Sequence, residues 1–174
     1  MWLMESNLRF NFPNNHISFI LYFSKCNCKC FYCDLDKIFI NCIKYDEESL
    51  KLSLPFIDSL VISGGEPLLA FNDVLKFQQF AKDNNLWFYV YTNGYDVDKI
   101  NKLLKMYDKT KIVIDIKGNN INEINETTQT SFGSKIMETY NTFKHNDNVI
   151  FRINDLINIT DINFNNIERY ELIR

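Results

Sequence analysis

The chain has 174 residues, of which 46% are hydrophobic and 24% charged. This is the composition of an ordinary globular domain, so we expect residues 1–174 to form a single domain. Its 19 basic and 22 acidic residues give a formal charge of −3, so no nucleic acid partner is expected. No run approaches the roughly 18 apolar residues that cross a membrane, and a signal peptide is not evident. We therefore expect a cytoplasmic protein that does not bind a membrane.

Strands and helices alternate along the chain. Runs of β-branched and aromatic residues predict strands, and apolar residues at helical spacing predict helices. In chain order, the predicted elements are a strand at 16–23, a strand at 57–62, a helix at 69–84, a strand at 86–91, a helix at 97–106, a strand at 111–116, a loop or weak helix at 121–126, a helix at 132–144, a strand at 148–153 and a last strand at 169–173. This alternation predicts an α/β fold with a parallel sheet.

Polar motifs follow the predicted strands. They are Gly64-Gly65-Glu66, Thr92-Asn93-Gly94, Asp115-Ile116-Lys117 and Arg152. Parallel α/β folds bind their ligands at the carboxyl ends of the strands, so we expect these motifs to lie at one ligand-binding edge.

Four of the five cysteines lie within residues 26–33, too close together to join distant loops by disulfides. Cys26, Cys30 and Cys33 have the spacing C-x3-C-x2-C. Soft thiolates suit iron–sulfur clusters, and three cysteines leave the fourth iron of a cubane open to a substrate or cofactor. Two alternatives stay open from spacing alone: a structural zinc site, which needs a fourth ligand, and a cysteine-rich loop without metal.

The remaining cysteines and the histidines have weaker signals. Cys28 is interpreted as a spare ligand or an inert thiol, and Cys42 as an ordinary half-buried cysteine. His16 and His145 have no motif around them and are interpreted as structural or exposed residues.

The cysteine loop, with the aromatic Tyr32 directly before its last cysteine, resembles the signature of the radical S-adenosylmethionine (SAM) superfamily. The turn Gly64-Gly65-Glu66-Pro67 resembles the superfamily's glycine-rich motif, which receives the amino end of SAM. The resemblance implies a partial (βα)6 barrel with six parallel strands, a [4Fe–4S] cluster on the three cysteines, and SAM chelating its open iron. One electron would then cleave SAM to a 5′-deoxyadenosyl radical, which abstracts hydrogen from the substrate.

Over residues 8–154 the chain is most similar to activating enzymes of glycyl-radical enzymes, of the anaerobic ribonucleotide reductase activase type. This similarity implies that Thr92 and Asn93 belong to a SAM-binding motif on the third strand. It implies that Asp115 and Lys117 help to hold SAM and a nearby cation, and that Arg152 pairs with SAM or the substrate backbone. A glycyl-radical enzyme would be the partner, with flavodoxin or ferredoxin as the electron donor.

Simpler interpretations of the same residues stay open. Asn93 and Gly94 favour turns in any protein. Asp115 and Lys117 could form a solvated strand end, although both alternate with Val113 and would then share one face of the strand. Arg152 could be a plain ion-pair partner.

Two departures from the activase pattern define alternative functions. Cys33-Asp34 resembles 7-carboxy-7-deazaguanine synthases, small radical SAM enzymes that act on a pterin. Tyr91 stands where activases often have Asp, which weakens the expectation of a cation site. The first departure makes a small-molecule radical SAM enzyme the alternative to an activase. In a different class, a non-enzymatic iron–sulfur binding module also stays open.

Overall fold

A computed structural model describes residues 3–9, 13–33, 43–160 and 163–170, which contribute to one eight-stranded sheet. The strands are β1 (Leu3–Arg9), β2 (Ser18–Phe23), β3 (Ile43–Lys44), β4 (Ser59–Gly64), β5 (Trp87–Thr92), β6 (Thr110–Ile116), β7 (Val149–Asn154) and β8 (Ile167–Tyr170). Their order across the sheet is β3-β1-β2-β4-β5-β6-β7-β8. β1 pairs antiparallel with β2 and β3. The other pairings, which join β2, β4, β5, β6, β7 and β8 in that order, are all parallel.

These six parallel strands confirm the predicted α/β architecture. Strands buried on both faces read as continuous apolar runs, and every residue of β2 and nearly every residue of β5 is buried. The helices that connect the strands are α1 (Glu47–Ser53), α2 (Phe71–Asp83), α3 (Val97–Met106), α4 (Ile121–Thr128) and α5 (Gly133–Phe143). None of the helices in the described part of the chain is long and apolar enough to cross a membrane.

The sheet has two different buried faces. The larger core lies on the helix side, where Leu21, Ile62 and Ile114 pack against residues such as Ile100 and Ile136 of the helices. A second cluster lies on the opposite face, which we call the inner face. It consists of Ile20, Tyr22, Val61, Tyr89, Tyr91, Val113 and Ile150. Strand side chains alternate between faces, so this second cluster shows which strand positions point toward the inner face.

Side-chain caps explain where several helices begin. Asp96 accepts a hydrogen bond from the backbone N–H of Lys99 and starts α3 at the predicted residue. Asn120 accepts from the N–H of Glu123 in the same way and starts α4. The prediction of a loop or weak helix at 121–126 therefore gives way to a helix of eight residues.

Other boundaries differ from the sequence prediction for physical reasons. The strand expected at 57–62 lies at Ser59–Gly64, because parallel pairing with β2 continues through Ser63 and Gly64. β1 and α1 were not predicted, and the last strand begins at Ile167 instead of residue 169. Residues 171–174 lie outside the described residues, as do Asp34 and Cys42.

Candidate functional site

The cysteine loop begins where β2 ends, at the carboxyl edge of the parallel sheet. Cys26 and Cys33 are exposed, and Cys30 is half-buried. The loop is fastened to the end of α4, since the N–H of Lys29 donates to the carbonyl of Thr128 over 2.9 Å. Backbone bonds thus hold the cysteine loop against a helix that comes much later in the chain.

The glycine turn after β4 supports this loop directly. The N–H of Gly65 donates to the carbonyl of Phe23 over 2.6 Å, and the N–H of Glu66 donates to that of Lys25 over 2.7 Å. A Cβ on Gly65 would lie 2.2 Å from the Lys25 carbonyl oxygen, which leaves no room for a side chain. Gly64 has a φ of +100° and an equally close approach to Phe23. The close approach that the structure shows at these glycines is therefore to the cysteine loop itself.

Glu66 joins the glycine turn to the end of β5. It is 2% exposed, and its oxygens accept from the N–H of Leu68 over 3.0 Å, the hydroxyl of Thr92 over 2.8 Å and the N–H of Asn93 over 2.8 Å. Burial raises the pKa of Glu66 in spite of these donors. Pro67 is buried and opens the short 3-10 turn that follows.

Asn93 extends the connection to the cysteine loop. Its Nδ2 donates to Oδ1 of Asn27 over 2.7 Å and to the sulfur of Cys28 over 3.3 Å. Its Oδ1 accepts from the N–H of Tyr95, and Gly94 has a φ of +80°, so the motif also forms the turn that its sequence favours. Asn93 therefore both stabilises the turn and holds the cysteine loop.

Asp115, Lys117 and Arg152 form a charged cluster at the ends of β6 and β7. Asp115 accepts from Nε of Arg152 over 2.7 Å and from Nζ of Lys117 over 3.1 Å. Lys117 also donates to the hydroxyl of Tyr32 in the cysteine loop over 2.7 Å, and the Arg152 guanidinium lies over the ring of Tyr91. The cluster therefore connects the two later strands to the residue before the last cysteine.

The interpretation of Asp115 and Lys117 as a solvated strand end is wrong, because Lys117 is only 5% exposed. Arg152 does have the ion-pair partner that its simpler interpretation predicted. Val113 lies in the inner-face cluster, and Asp115, two residues later on the same strand, shares that face as predicted. Arg152 is the direct neighbour of Asp115 on β7, which explains how its guanidinium reaches the carboxylate.

The electrostatics of the cluster favour charged groups. Burial would raise the pKa of Asp115, but the two cations outweigh it and lower the pKa to about 2. A hydrogen bond from the Cys28 thiol lowers the pKa of Cys30 to about 6, with a further contribution from Lys117 against the effect of burial. Because the thiolate is the form that binds metal, Cys30 is suited to be a ligand.

A pocket of about 440 Å³ lies beside the cysteine loop, in the size range of small-molecule sites. Phe31 and Lys117 line one side of it, and residues after β7 line the other. Its lining residues are Phe31, Lys117, Gly118, Asn119, Glu123, Glu126, Thr127, Leu156, Ile157, Asn158 and Thr160.

The donor set fits an iron–sulfur cubane better than a single ion. Within residues 3–9, 13–33, 43–160 and 163–170, no three His, Cys, Asp or Glu side chains converge on a position for one metal ion. A cubane binds each cysteine through a different iron, so its ligands need not converge on one point. Three cysteines on one fastened loop, with a thiolate-favouring environment at Cys30, match that requirement.

Some residues around the site carry no recognisable sequence signal. Tyr140 donates to the Asp115 carbonyl over 3.0 Å and accepts from the N–H of Lys117 over 2.8 Å, yet in the sequence it is one more apolar position of α5. Asn27 is one of many asparagines in the chain. The two histidines have the structural or exposed roles expected, since His16 stacks on Trp87 and His145 is exposed.

Comparisons with known proteins agree with this fold. No protein-family model matches the chain. A protein of Methanocaldococcus jannaschii, provisionally described as a glycyl-radical enzyme activating enzyme, is 30% identical over 103 residues. The match covers 58% of this chain and 43% of the relative, so the chain matches less than half of that protein's length.

Solved structures share the fold at low sequence identity. SuiB of Streptococcus suis, bound to precursor peptide SuiA, matches 78% of this chain and 31% of its own, with a TM-score of 0.56 and 18% identity. The protein anSMEcpe with bound AdoMet matches 85% of this chain and 47% of its own, with a TM-score of 0.55 and 20% identity. QueE from Escherichia coli matches 93% of this chain and 86% of its own, with a TM-score of 0.55 and 14% identity.

The fold, a parallel α/β sheet arranged as a partial barrel, is that of radical SAM enzymes. Fold and sequence similarity thus both relate the chain to radical SAM enzymes.

Proposed function

We propose that this protein cleaves SAM reductively and uses the resulting radical to abstract hydrogen from a substrate. The observation that carries the proposal is the meeting of motifs far apart in sequence. Glu66 bonds Lys25 at the start of the cysteine loop, and Lys117 bonds Tyr32 near its end. Such convergence at the carboxyl edge of parallel strands is where α/β folds place their active sites.

Each motif has a proposed role. Cys26, Cys30 and Cys33 would hold a [4Fe–4S] cluster through their thiolates. With SAM bound, that cluster would supply the electron that breaks the sulfonium bond and releases the 5′-deoxyadenosyl radical. The protein would contribute ligation, orientation and exclusion of water.

The polar residues would position SAM. We assign its amino end to the edge formed by Gly64, Gly65 and Thr92, with Glu66 and Pro67 fixing that edge from behind. Asn93 fixes the adjoining turn. Asp115 and Lys117 are both charged, and Asp115 is paired with Lys117 and Arg152. The amino group of SAM could replace one of these cations at Asp115, and the carboxylate of SAM could replace Asp115 at a cation.

Arg152 could likewise exchange its pairing with Asp115 for a contact with SAM or with the substrate backbone. Its side chain is 22% exposed, which leaves part of the guanidinium open to the inside of the barrel. Tyr32 would sit against the cofactor, since its hydroxyl already bonds Lys117.

For the substrate, we propose a glycyl-radical enzyme, such as anaerobic ribonucleotide reductase. The similarity to the M. jannaschii protein supports this assignment. A flavodoxin or ferredoxin would donate the electron. A single domain of residues 1–174, working in the reducing cytoplasm where thiols stay free, is part of the same proposal.

A second candidate has its own support. The dipeptide Cys33-Asp34 resembles 7-carboxy-7-deazaguanine synthases, and the fold of QueE matches over 86% of that chain. The alternative is therefore a small-molecule radical SAM enzyme of that synthase type. The pocket of about 440 Å³ beside Phe31 is large enough for such a substrate or for part of SAM.

The two candidates are separated by what stimulates SAM cleavage. The reconstituted protein is incubated anaerobically with SAM, a reductant and either the glycyl-radical enzyme of the same organism or a pterin substrate. The activase proposal predicts a glycyl signal in electron paramagnetic resonance (EPR), absent when the radical-bearing glycine of the partner is replaced by alanine. Turnover of the pterin without any glycyl signal would contradict the activase and establish the alternative.

A further inference from the structure

Cys28 stands inside the cysteine loop at a position that the C-x3-C-x2-C spacing does not use. Unlike Cys26 and Cys33, which are exposed, Cys28 is 8% exposed. Its thiol hydrogen-bonds Cys26 and Cys30, so the sulfur lies beside the predicted ligands although it is nearly closed to solvent. It has a defined set of neighbours there.

Those neighbours connect β5 to the cysteine loop. The sulfur of Cys28 accepts a hydrogen bond from Nδ2 of Asn93 over 3.3 Å. The same Nδ2 donates to Oδ1 of Asn27 over 2.7 Å, so one amide group holds two consecutive residues of the loop. Asn93 is itself fixed, since its backbone N–H donates to the buried Glu66 carboxylate.

The backbone of Cys28 continues this chain of contacts to a predicted ligand. Its N–H donates to the sulfur of Cys26 over 3.4 Å. Hydrogen bonds to the sulfurs of an iron–sulfur cluster are one of the factors that set its reduction potential, because they withdraw negative charge from the ligand. The potential is what decides whether a cluster can pass an electron to a bound cofactor.

Resting on the proposed function, we infer that Cys28 is a positioning residue and not a cluster ligand. Its sulfur, held by Asn93, fixes the turn that directs the Cys28 N–H at the sulfur of Cys26. The sequence alone leaves Cys28 as a spare ligand or an inert thiol, and the structure assigns it a third role.

The test compares wild type with Cys28→Ala, Cys28→Ser and the control Cys42→Ala. Each protein is reconstituted anaerobically, its iron and sulfide are counted, and the midpoint potential is measured without SAM by an EPR-monitored redox titration. Release of iron to a chelator gives a second readout that does not depend on activity.

We expect Cys28→Ala to keep its full iron content, to show a lower midpoint potential, and to lose iron about 10-fold faster than wild type. Cys28→Ser should behave close to wild type, because its hydroxyl can still accept the bond from Asn93. Adding Cys28→Ala to Asn93→Ala should shift the potential less than the sum of the two single shifts, because both remove the same contact.

Two results would overturn the inference. One is an unchanged potential and release rate in Cys28→Ala; the other is loss of iron in both Cys28 variants, which would make Cys28 a ligand. A wild-type protein that takes up no cluster would instead overturn the proposed function, so the two failures are distinguishable.

Discussion

Two carboxylates, Glu66 after β4 and Asp115 at the end of β6, lie at the same edge of the sheet but in opposite electrostatic settings. The partners of Glu66 are two backbone N–H groups and a hydroxyl, and burial raises its pKa. Asp115 is paired with Lys117 and Arg152, and its pKa falls to about 2. Glu66 is 2% exposed, whereas the side chain of Asp115 is 21% exposed.

The difference divides the edge of the sheet into two parts. The half formed by β4 and β5 uses its polar groups on internal hydrogen bonds that fix the cysteine loop. In the half formed by β6 and β7, ionised groups remain partly open to a ligand. The predictions below test how each half stabilises the fold and the cysteine loop.

The largest effect is expected for Gly65→Ala. The new Cβ would lie 2.2 Å from the Lys25 carbonyl oxygen. Relieving this clash requires a shift of the glycine turn or of the cysteine loop, and the hydrogen bond between Glu66 and Lys25 opposes both shifts. We expect a loss of about 3 kcal/mol in the free energy of unfolding, measured by denaturant titration of the apo protein. Gly94→Ala is the control, with a loss of about 1 kcal/mol from its positive φ. Equal losses at the two glycines would contradict the tight contact at Gly65.

Asp115→Asn should come next, with a loss of about 2 kcal/mol at pH 7. The pKa of Asp115 is lowered in the folded state, from 3.8 to about 2, so its contribution is complete above pH 3.8 and disappears as the pH falls toward 2. Denaturant titrations across this range should show that the difference between wild type and variant shrinks on acidification. A difference that is constant with pH would show that the ion pairs do not stabilise the fold.

Glu66→Gln is expected to show the opposite pH dependence with a smaller amplitude. Because burial raises the pKa of Glu66, folding favours its protonated form, and its contribution declines as the pH rises from 4.5 through the folded pKa. The variant should be less stable than wild type by about 1 kcal/mol at low pH, with the difference shrinking toward neutral pH. The same denaturant titrations measure it, and a difference that grows with pH would refute the assignment.

The smallest effect concerns the reactivity of the apo cysteines. Cys26 and Cys33 are exposed whereas Cys28 is buried behind Asn93, so alkylation at limiting reagent should modify the first two before Cys28. Peptide mass spectrometry over time measures the order. Asn93→Ala should accelerate modification of Cys28 relative to Cys26, and equal rates in wild type would contradict the buried position.

The sequence was sufficient for the elements that have strong local signals. The helix at 97–106 was predicted at its observed ends, because Asp96 provides a cap and the apolar residues have clear helical spacing. The six parallel strands and the position of the motifs at their carboxyl ends also follow from local patterns. The shared face of Asp115 and Val113 follows from strand periodicity alone.

What could not be predicted depends on contacts between distant segments. β1 forms by antiparallel pairing with β2, and nothing local in Leu3–Arg9 distinguishes it from a loop. α4 is rich in Asn and Thr, yet burial of Ile124 and the cap at Asn120 stabilise it. The close approach of the Gly64-Gly65 turn to backbone atoms of Phe23 and Lys25 also has no local sequence signal, and binding of the amino end of SAM at this turn stays a prediction. Packing of this kind is not encoded in any short window of sequence.

The central claim, radical SAM chemistry at the cysteine loop, is tested most directly by product analysis. The protein is reconstituted with iron and sulfide under anaerobic conditions, supplied with SAM and dithionite, and assayed for 5′-deoxyadenosine by chromatography. We predict that wild type forms 5′-deoxyadenosine and that Cys30→Ala forms none, while Cys42→Ala keeps the activity. A wild-type protein with a fully loaded cluster that forms no 5′-deoxyadenosine would contradict the account and leave a binding or electron-transfer role in its place.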